Sequence, residues 1–316
     1  MSNVKVFVQI PTYKEEDTLG IVLDSIPKHI PGVDLEILII DDSPNLKTVE
    51  VAKKHGVKHI IKNPNRVGLA RAFRDGVMYS LDHGADIVVN TDADNQYPQD
   101  RIPDLIQPII DGKADIVVAD RQTDKIAHFS PLKKMLQRFG SFIVNKAAGT
   151  EIPDAPSGFR AYSKNALIRL NIITQFSYTM ETIIQAGNKR IAITSIPVKT
   201  NPKTRESRLF NNMWEHVFKS MSAIVRAYIM YKPYMVFATI GYTLLLLGLI
   251  PFVRYFVLYN VLKHPGGHLQ SLLVGTIFLL GAFLCLVLNI VADLIRTNRI
   301  LLEETLEQVK YQRFNK

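Results

Sequence analysis

The sequence contains little cysteine and none of the glycine-rich motifs that bind phosphate groups. Its single cysteine, Cys285, excludes an intramolecular disulfide, which fits a chain that folds in the cytoplasm. Neither G-x-G-x-x-G nor G-x-x-x-x-G-K-S/T occurs, so neither a Rossmann dinucleotide site nor a P-loop is predicted. The early apolar stretch VFVQI is too short for the apolar core of a signal peptide, so we expect none.

Charge is absent from two long stretches in the last third of the chain. No charged residue occurs in 234–253 or in 269–292. Each stretch is long enough for a helix that crosses a hydrocarbon core of about 30 Å. The intervening NVLKHPGGHLQ predicts a turn between antiparallel helices. We therefore predict two transmembrane helices within 233–297, the alternative being a buried helical hairpin of a large soluble core.

Positive charge is concentrated on one side of the predicted spans. The connecting loop has only Lys263, whereas several basic residues flank the other ends: Arg205, Arg208, Lys219, Arg226, Lys232, Arg296 and Arg299. The positive-inside rule then predicts an integral membrane protein with both termini, and the residues that precede the spans, in the cytoplasm. Because much of the basic sequence adjoins the spans, the net charge of +9 indicates anionic membrane lipids as partners and no nucleic acid.

The residues before the spans alternate between short apolar runs and helical patterns. Strands are predicted at 4–10, 35–40, 57–61, 86–91, 115–120 and 191–200. Nearly continuous apolar strands alternating with helices predict an α/β doubly wound domain with a parallel sheet, over 1–209. A basic amphipathic helix begins at Pro131, and either packs on the sheet with a solvated basic face or lies on a membrane surface. Further helices are predicted at 210–232, amphipathic and juxtamembrane, and in the cytoplasmic tail, 298–316.

Acidic residues follow the predicted strands at the edge where such sheets bind ligands. Asp92 and Asp94 end the fourth strand. An EF-hand is excluded, because its sixth and twelfth positions would be Tyr97 and Pro103. Two readings remain for the pair: an Asx-turn that caps the strand, or a divalent cation held together with substrate phosphates. The other polar strand ends favour the cation.

Other strand ends and one helix start supply further polar groups. Asp41 and Asp42 close the second strand, where a carboxylate can accept hydrogen bonds from a ribose or a base. The first loop supplies Pro11, Tyr13 and Glu15, and Arg66 could reach a phosphate.

Six segments come in an order and spacing that resembles family-2 glycosyltransferases with a GT-A fold, such as the polyprenyl-phosphate sugar transferases. These segments are PTYKEE, IIDDSP, TDADNQYP, VADRQ, PDAPSGFRAY and TRESRLF. The resemblance covers roughly residues 4 to 210. In the last segment, relatives often have R-x-x-G-x-S-K, whereas this chain has RESR without the glycine.

The resemblance implies a role for each matching residue. Asp92, Asp94 and Gln96 would bind Mg²⁺ or Mn²⁺ together with the diphosphate. Asp154, Asp94 and Arg121 would be catalytic, with Arg121 on a phosphate and Asp154 as a base or an acceptor-positioning carboxylate. The remaining positions would hold the nucleotide sugar: Pro11, Tyr13, Glu15, Asp41, Asp42, Arg66, Ala93, Arg205, Ser207 and Arg208.

The implied function is an inverting, metal-dependent hexosyltransferase. It would move a sugar from a nucleotide donor of UDP-glucose or GDP-mannose type to a polyprenyl or dolichyl phosphate. A transferase acting on a lipid hydroxyl is an alternative, and a non-catalytic nucleotide-sugar-binding membrane protein is another. A processive polysaccharide synthase is disfavoured, because the only tryptophan lies in NNMWEH, outside a Q-x-x-R-W motif. A homo-oligomer is compatible with the sequence.

Overall fold

A computed structural model describes residues 3–123, 131–173, 178–202, 222, 233–260 and 269–315. Its described residues up to 202 form seven strands and seven α-helices. The strands are β1 Val4–Thr12, β2 Val33–Asp41, β3 His59–Lys62, β4 Ile87–Asn90, β5 Ile116–Asp120, β6 Arg160–Ser163 and β7 Ile193–Pro197. The helices are α1 Leu19–Ser25, α2 Lys47–Lys54, α3 Leu69–Asp82, α4 Ile102–Ile110, α5 Pro131–Ala148, α6 Lys164–Arg169 and α7 Tyr178–Asn188.

The predicted apolar runs form the strands because both faces of the sheet are covered. Four consecutive residues of β4, Ile87–Asn90, are buried, as are Ile116 to Ala119 of β5. Strands buried on both faces need apolar residues at every position, so no alternation is visible in the sequence. One buried cluster joins β1, β2, α1 and α4 through residues such as Val8, Ile39, Leu23 and Leu105.

The sheet is mixed, in the order β3-β2-β1-β4-β6-β5-β7. The predicted parallel pairing is found for β1 with β2 and β4, for β2 with β3 and for β5 with β7, but β6, which was not predicted, runs antiparallel to both β4 and β5. The sequence of β6, RAYS, is short and partly polar, so no apolar run marks it as a strand. The strand order reverses between β1 and β4, and ligands of such sheets bind at this switch point beyond the carboxyl ends.

Two long helices follow, α8 Pro233–Asn260 and α9 Leu269–Phe314. Both are long and apolar enough to cross a membrane. They approach closely at Gly248 and Gly275: a Cβ added at Gly248 would lie 2.9 Å from the Leu279 side chain and 3.1 Å from the Gly275 carbonyl oxygen. Small residues allow this approach between membrane helices. Helix α9 continues without a break through the predicted tail.

The chain divides into two compact units, 1–227 with 307–316, and 228–306. Within the first unit, the last turns of α9 contact the α/β domain that contains the sheet. Arg313 forms two hydrogen bonds with Asp82 at 3.0 and 2.7 Å, and Lys310 donates to the Leu170 carbonyl at 2.7 Å. The predicted juxtamembrane helix at 210–232 lies outside the described residues, apart from Ser222.

Candidate active site

The polar strand ends meet at one edge of the sheet. Parallel pairing sets Thr12 of β1 opposite Asp41 of β2, and Gln9 opposite Asn90 of β4. Because β6 is antiparallel, it begins at this edge, with Arg160 opposite Asn90. The edge therefore gathers the loops that follow β1, β2, β4 and β5 with the loop that precedes β6.

Asp92 and Asp94 lie half-buried on the loop after β4. The Asp94 carboxylate accepts a hydrogen bond from the Gln96 backbone N–H at 3.0 Å, and Asn95 has a left-handed φ of 60°. Asn201 anchors the loop from outside, since its side chain donates to the Asn95 carbonyl at 3.1 Å. The Asx-turn weighed from the sequence is thus present at Asp94, and the second carboxylate oxygen of a turn aspartate still has lone pairs for a cation.

The donor set of this loop fits a hard divalent cation. Asp92, Asp94 and the Gln96 amide offer oxygen ligands, which Mg²⁺ and Mn²⁺ prefer. Within the described ranges, no group of three or more His, Cys, Asp or Glu side chains could hold a metal. Two carboxylates fill only part of the coordination shell of a divalent cation. The remaining coordination positions can be filled by substrate phosphates and water.

A buried polar network supports the loop from below. The Asn90 amide donates to the Tyr178 hydroxyl at 2.6 Å and to the Gly158 carbonyl at 3.1 Å, and accepts from the Gln9 amide at 3.0 Å. The Gly158 N–H donates to the Tyr97 hydroxyl at 3.0 Å. Burial raises the pKa of Tyr97 to about 12, with a further contribution from the charge of Asp92. Sequence reasoning missed this network, although glutamine and asparagine within apolar strands were a visible signal.

Asp92 rests against Gly158. A Cβ added at Gly158 would lie 3.3 and 3.4 Å from the two carboxylate oxygens of Asp92. These separations are shorter than ordinary van der Waals contact, so a side chain at this position would displace the carboxylate. Gly158 therefore sets the closest approach of the Asp154-containing loop to the candidate metal ligand.

Arg121 and Asp154 form a buried, bidentate ion pair. The Arg121 Nε and Nη2 donate to the two Asp154 oxygens at 2.7 and 2.9 Å, and the Arg121 backbone N–H donates at 3.1 Å. Burial alone would lower the pKa of Arg121, but electrostatic interactions with Tyr97, Asp154 and Asp92, and the hydrogen bond to Asp154, outweigh it and raise that pKa. Asp154 thus orients a permanent cation at the edge of the site.

Arg160 holds the loop between Asp154 and β6. Its guanidinium is fully buried and donates to the carbonyls of Ala155, Ser157 and Thr179 at 2.6 to 2.7 Å, and to the Thr182 hydroxyl at 2.9 Å. The loop is thereby tied to α7. Arg160 lies in the matching segment PDAPSGFRAY, but no role was predicted for it from the sequence.

The predicted nucleoside residues meet on the opposite side of Asp92. The Arg66 guanidinium stacks 4.4 Å from the centre of the Tyr13 ring. The Asp42 carboxylate accepts from the backbone N–H groups of Val67 and Gly68, each at 3.1 Å, at the start of α3. These contacts place the Tyr13 loop, β2 and the Arg66 segment side by side.

Several of these side chains already have partners within the protein. The fully buried Asp41 accepts hydrogen bonds from Thr12 and Ser43 and lies 3.1 Å from the Lys62 ammonium. The buried Glu15 accepts from the Thr18 hydroxyl at 3.1 Å.

Pro11 lies in β1 beside this group, whereas the Ala93 side chain belongs to the apolar core, which leaves its backbone for a ligand. Arg205, Ser207 and Arg208 lie outside the described residues.

Comparison with known proteins identifies the class. The family model described as Glycosyl transferase family 2 matches residues 7–170. The chain therefore belongs to glycosyl transferase family 2, as its motifs predicted.

Among curated relatives, the UDP-N-acetylglucosamine–dolichyl-phosphate N-acetylglucosaminyltransferase of Methanococcus voltae is 30% identical, over 63% of this chain and 87% of that protein. The dolichol-phosphate mannosyltransferase of Pyrococcus furiosus is 31% identical, over 60% of this chain and 54% of that protein.

Solved structures share the fold. Glucosyl-3-phosphoglycerate synthase from Mycobacterium tuberculosis, in complex with Mn²⁺, uridine diphosphate and glucosyl-3-phosphoglycerate, has a TM-score of 0.53 and 20% identity. The match covers 72% of this chain and 79% of that chain. The mixed sheet and its polar edge are therefore a GT-A fold.

Proposed function

We propose that this protein transfers a hexose from a nucleotide sugar to a polyprenyl or dolichyl phosphate at the cytoplasmic face of a membrane. The observation that carries the proposal is the meeting of an acidic loop, Asp92–Asp94, with a buried Arg121–Asp154 pair, on a chain with two helices of membrane-spanning length. A nucleotide-sugar site on such a chain suits an acceptor dissolved in lipid. The names of the relatives support the same acceptor class.

Asp92, Asp94 and Gln96 would hold Mg²⁺ or Mn²⁺. When bound, the cation neutralises charge that gathers on the leaving diphosphate. Tyr13 and Arg66, stacked on each other, would border the nucleoside, and the Asp42-bound start of α3 would fix the loop beside it.

Arg121 would bind the acceptor phosphate, because it is a buried guanidinium that stays protonated at every accessible pH. An acceptor oxygen forms a bond to the anomeric carbon, while the bond from that carbon to the diphosphate breaks and the diphosphate leaves with its electron pair. One such displacement inverts the anomeric configuration.

A lipid phosphate, with a second pKa near 6, is largely ionised at neutral pH and needs no strong base. Asp154 accepts three hydrogen bonds from Arg121. Its role is then to position the Arg121 guanidinium rather than to remove a proton from the acceptor. A lipid hydroxyl would instead require Asp154 as a general base.

The contacts of Lys310 and Arg313 with the N-terminal domain support a placement of that domain and of the end of α9 on one side of the membrane. The positive-inside pattern supports the cytoplasm as that side. Basic residues near the spans would attract anionic lipids.

The proposal is tested with full-length protein in nanodiscs that contain polyprenyl phosphate. A panel of radiolabelled UDP- and GDP-sugars is added, with and without a chelator, and the lipid is extracted. We expect label in the lipid with one donor, and its loss on chelation and in Asp92→Asn and Asp94→Asn. The matched control, Asp100→Asn, changes an exposed aspartate of the following turn and should retain activity. Transfer that survives in both metal-ligand variants, or no labelled lipid with any donor, would refute the proposal.

A further inference from the structure

The last turns of α9, residues 307–314, belong to the same compact unit as the α/β domain and are packed on it. We refer to these residues as the docked segment. The Phe314 side chain is only 8% exposed, and its carbonyl accepts a hydrogen bond from the Lys164 ammonium at 2.6 Å. Lys310 donates to the side-chain oxygen of Asn171 at 2.8 Å. The docked segment therefore reaches both α6 and the residues that follow it.

Glu307 of the docked segment lies between two cations that come from different helices. Its carboxylate is 3.3 Å from the Arg169 Nε at the end of α6 and 3.8 Å from the Lys189 ammonium directly after α7. These two basic residues also exchange hydrogen bonds, since each side chain donates to the carbonyl of the other at 2.6 Å. Like charges held this close repel each other, and a carboxylate between them offsets the repulsion. Glu307 therefore stabilises the junction between the ends of α6 and α7.

Asn171 connects the docked segment to the buried face of α7. Its backbone N–H donates to the Gln185 side-chain oxygen at 2.8 Å, and the Gln185 amide donates back to the Asn171 carbonyl and to the Glu181 carboxylate. Glu181 also accepts from the Ile173 N–H at 3.2 Å. Gln185 and Glu181 are 0% and 2% exposed, and a polar group buried this deeply is costly to leave without its partner. We therefore expect residues 170–173 to move together with α7.

The same helix bonds to groups that support the candidate active site. The Tyr178 hydroxyl accepts from the Asn90 amide at 2.6 Å and donates to the Gly158 carbonyl at 3.2 Å. One turn later, the Thr182 hydroxyl accepts from the Arg160 guanidinium at 2.9 Å. Helix α7 thus holds both the network beneath the acidic loop and the loop that precedes β6.

Both sets of contacts lie on one face of α7. Tyr178, Thr182 and Gln185 follow one another at intervals of four and three residues, which places them on a single stripe. Backbone hydrogen bonds within the helix join each turn to the next, so a shift at Gln185 also shifts Tyr178. Contiguous hydrogen-bond networks and rigid helices of this kind can carry energetic coupling between distant groups.

We propose that the docked segment is a positioning element of the active site, with Lys310 and Glu307 as its positioning residues. It fixes residues 170–173 and the end of α7, and α7 in turn fixes the Gly158 loop against the candidate metal ligand. The inference rests on the proposed function for the reaction that is affected, but the coupling itself requires no catalysis.

Hydrogen exchange of the full-length protein in nanodiscs tests this coupling without any substrate. Lys310→Met removes the charge and the donor and keeps an unbranched side chain. We expect the amides of Ala155, Ser157 and Gly158 to exchange several-fold faster in this variant, because a less firmly held α7 lets the loop open locally. Lys310→Arg should restore the wild-type exchange rates, since a guanidinium can still donate to its partners. The matched control is Gln308→Met, which changes an exposed residue of the same turn and should exchange like wild type.

Faster exchange that is confined to residues 164–173 would overturn the proposal, because the docked segment would then stabilise only the residues that it touches. Unchanged exchange throughout the domain in Lys310→Met would overturn it as well. The readout needs neither metal nor sugar donor. A protein that shows the coupling but transfers no sugar would therefore refute the proposed function alone.

Transfer kinetics separate positioning from stability. Since a misplacement of about 1 Å can cost about 10²-fold in rate, we expect Lys310→Met and Glu307→Gln each to lower kcat about 3- to 10-fold per folded molecule. Glu304→Gln changes an exposed glutamate of α9 outside the docked segment and should leave kcat unchanged. A lower thermal midpoint with an unchanged kcat in both docked-segment variants would show a purely structural role and overturn the proposal.

A double-mutant cycle tests the route through Asn171. Asn171→Ala and Lys310→Met remove the same contact, so the double variant should lose no more kcat than the more impaired single variant. Losses that multiply in the double variant would contradict this route.

Discussion

Replacing Gly158 with alanine tests how closely the Asp154 loop supports the candidate metal ligand. The backbone of Gly158 does not need glycine, because its φ is not among the positive values. The added Cβ would lie 3.3 and 3.4 Å from the Asp92 oxygens and 3.5 Å from the Tyr178 hydroxyl. The carboxylate must therefore move by a few tenths of an ångström. Since a misplacement of about 1 Å can cost about 10²-fold in rate, a shift of this size should cost about 3- to 10-fold.

The assay is direct Mn²⁺ binding to the full-length protein by electron paramagnetic resonance, in the presence of nucleoside diphosphate, alongside transfer rates. We expect a transfer rate that is about 3- to 10-fold lower in Gly158→Ala, together with weaker Mn²⁺ binding. Gly140→Ala is the control, because its Cβ meets no atom within 4 Å and α5 gains a better helix former. Unchanged Mn²⁺ affinity in a well-folded Gly158→Ala protein would refute the idea that Gly158 places Asp92.

Three further outcomes follow from buried groups. Arg160→Met removes four hydrogen bonds, so at about 1 kcal/mol each the free energy of unfolding should fall by about 4 kcal/mol, seen as a lower thermal midpoint. An unchanged thermal midpoint would show that the hydrogen bonds of Arg160 are not what stabilises the loop between Asp154 and β6. Tyr97, with a folded pKa of about 12 against an ordinary 10, stabilises the fold fully below pH 10 and loses this contribution up to pH 12. Wild type should therefore lose about 2 kcal/mol more than Tyr97→Phe across this window, and parallel pH profiles would contradict the assignment. Asp154→Asn should reduce transfer to a lipid phosphate by less than the about 10²- to 10⁴-fold that loss of a general base costs, and a larger loss per folded molecule would identify Asp154 as the base.

The fold was largely predictable because burial leaves a local signature. The uncharged runs at 234–253 and 269–292 both became parts of long helices, and the apolar runs of β1, β2, β4 and β5 became strands. Strand β6 was missed because RAYS is short and contains a buried arginine. A strand inserted antiparallel between two others is specified by its partners, not by its own pattern.

The residues of the candidate site were predictable from the sequence, but their hydrogen-bond partners were not. The sequence pointed to Asp92, Asp94, Arg121 and Asp154, but gave no indication that Arg121 and Asp154 bond to each other. The Asx-turn and the cation site were treated as competing readings of Asp94, yet the observed turn leaves oxygens for a cation.

By itself, the sequence determined the class of the protein, its acidic loop and its two helices of membrane-spanning length, because these depend on residue type and on short-range spacing. Only the tertiary structure decided which groups meet. Gln9 and Asn90 are 81 residues apart, Asn90 and Gly158 are 68 apart, and both pairs are hydrogen-bonded in the support beneath Asp92. The same holds for α5, whose periodicity predicted an amphipathic helix. Which apolar side chains it buries and which it exposes depends on the domain packed against it.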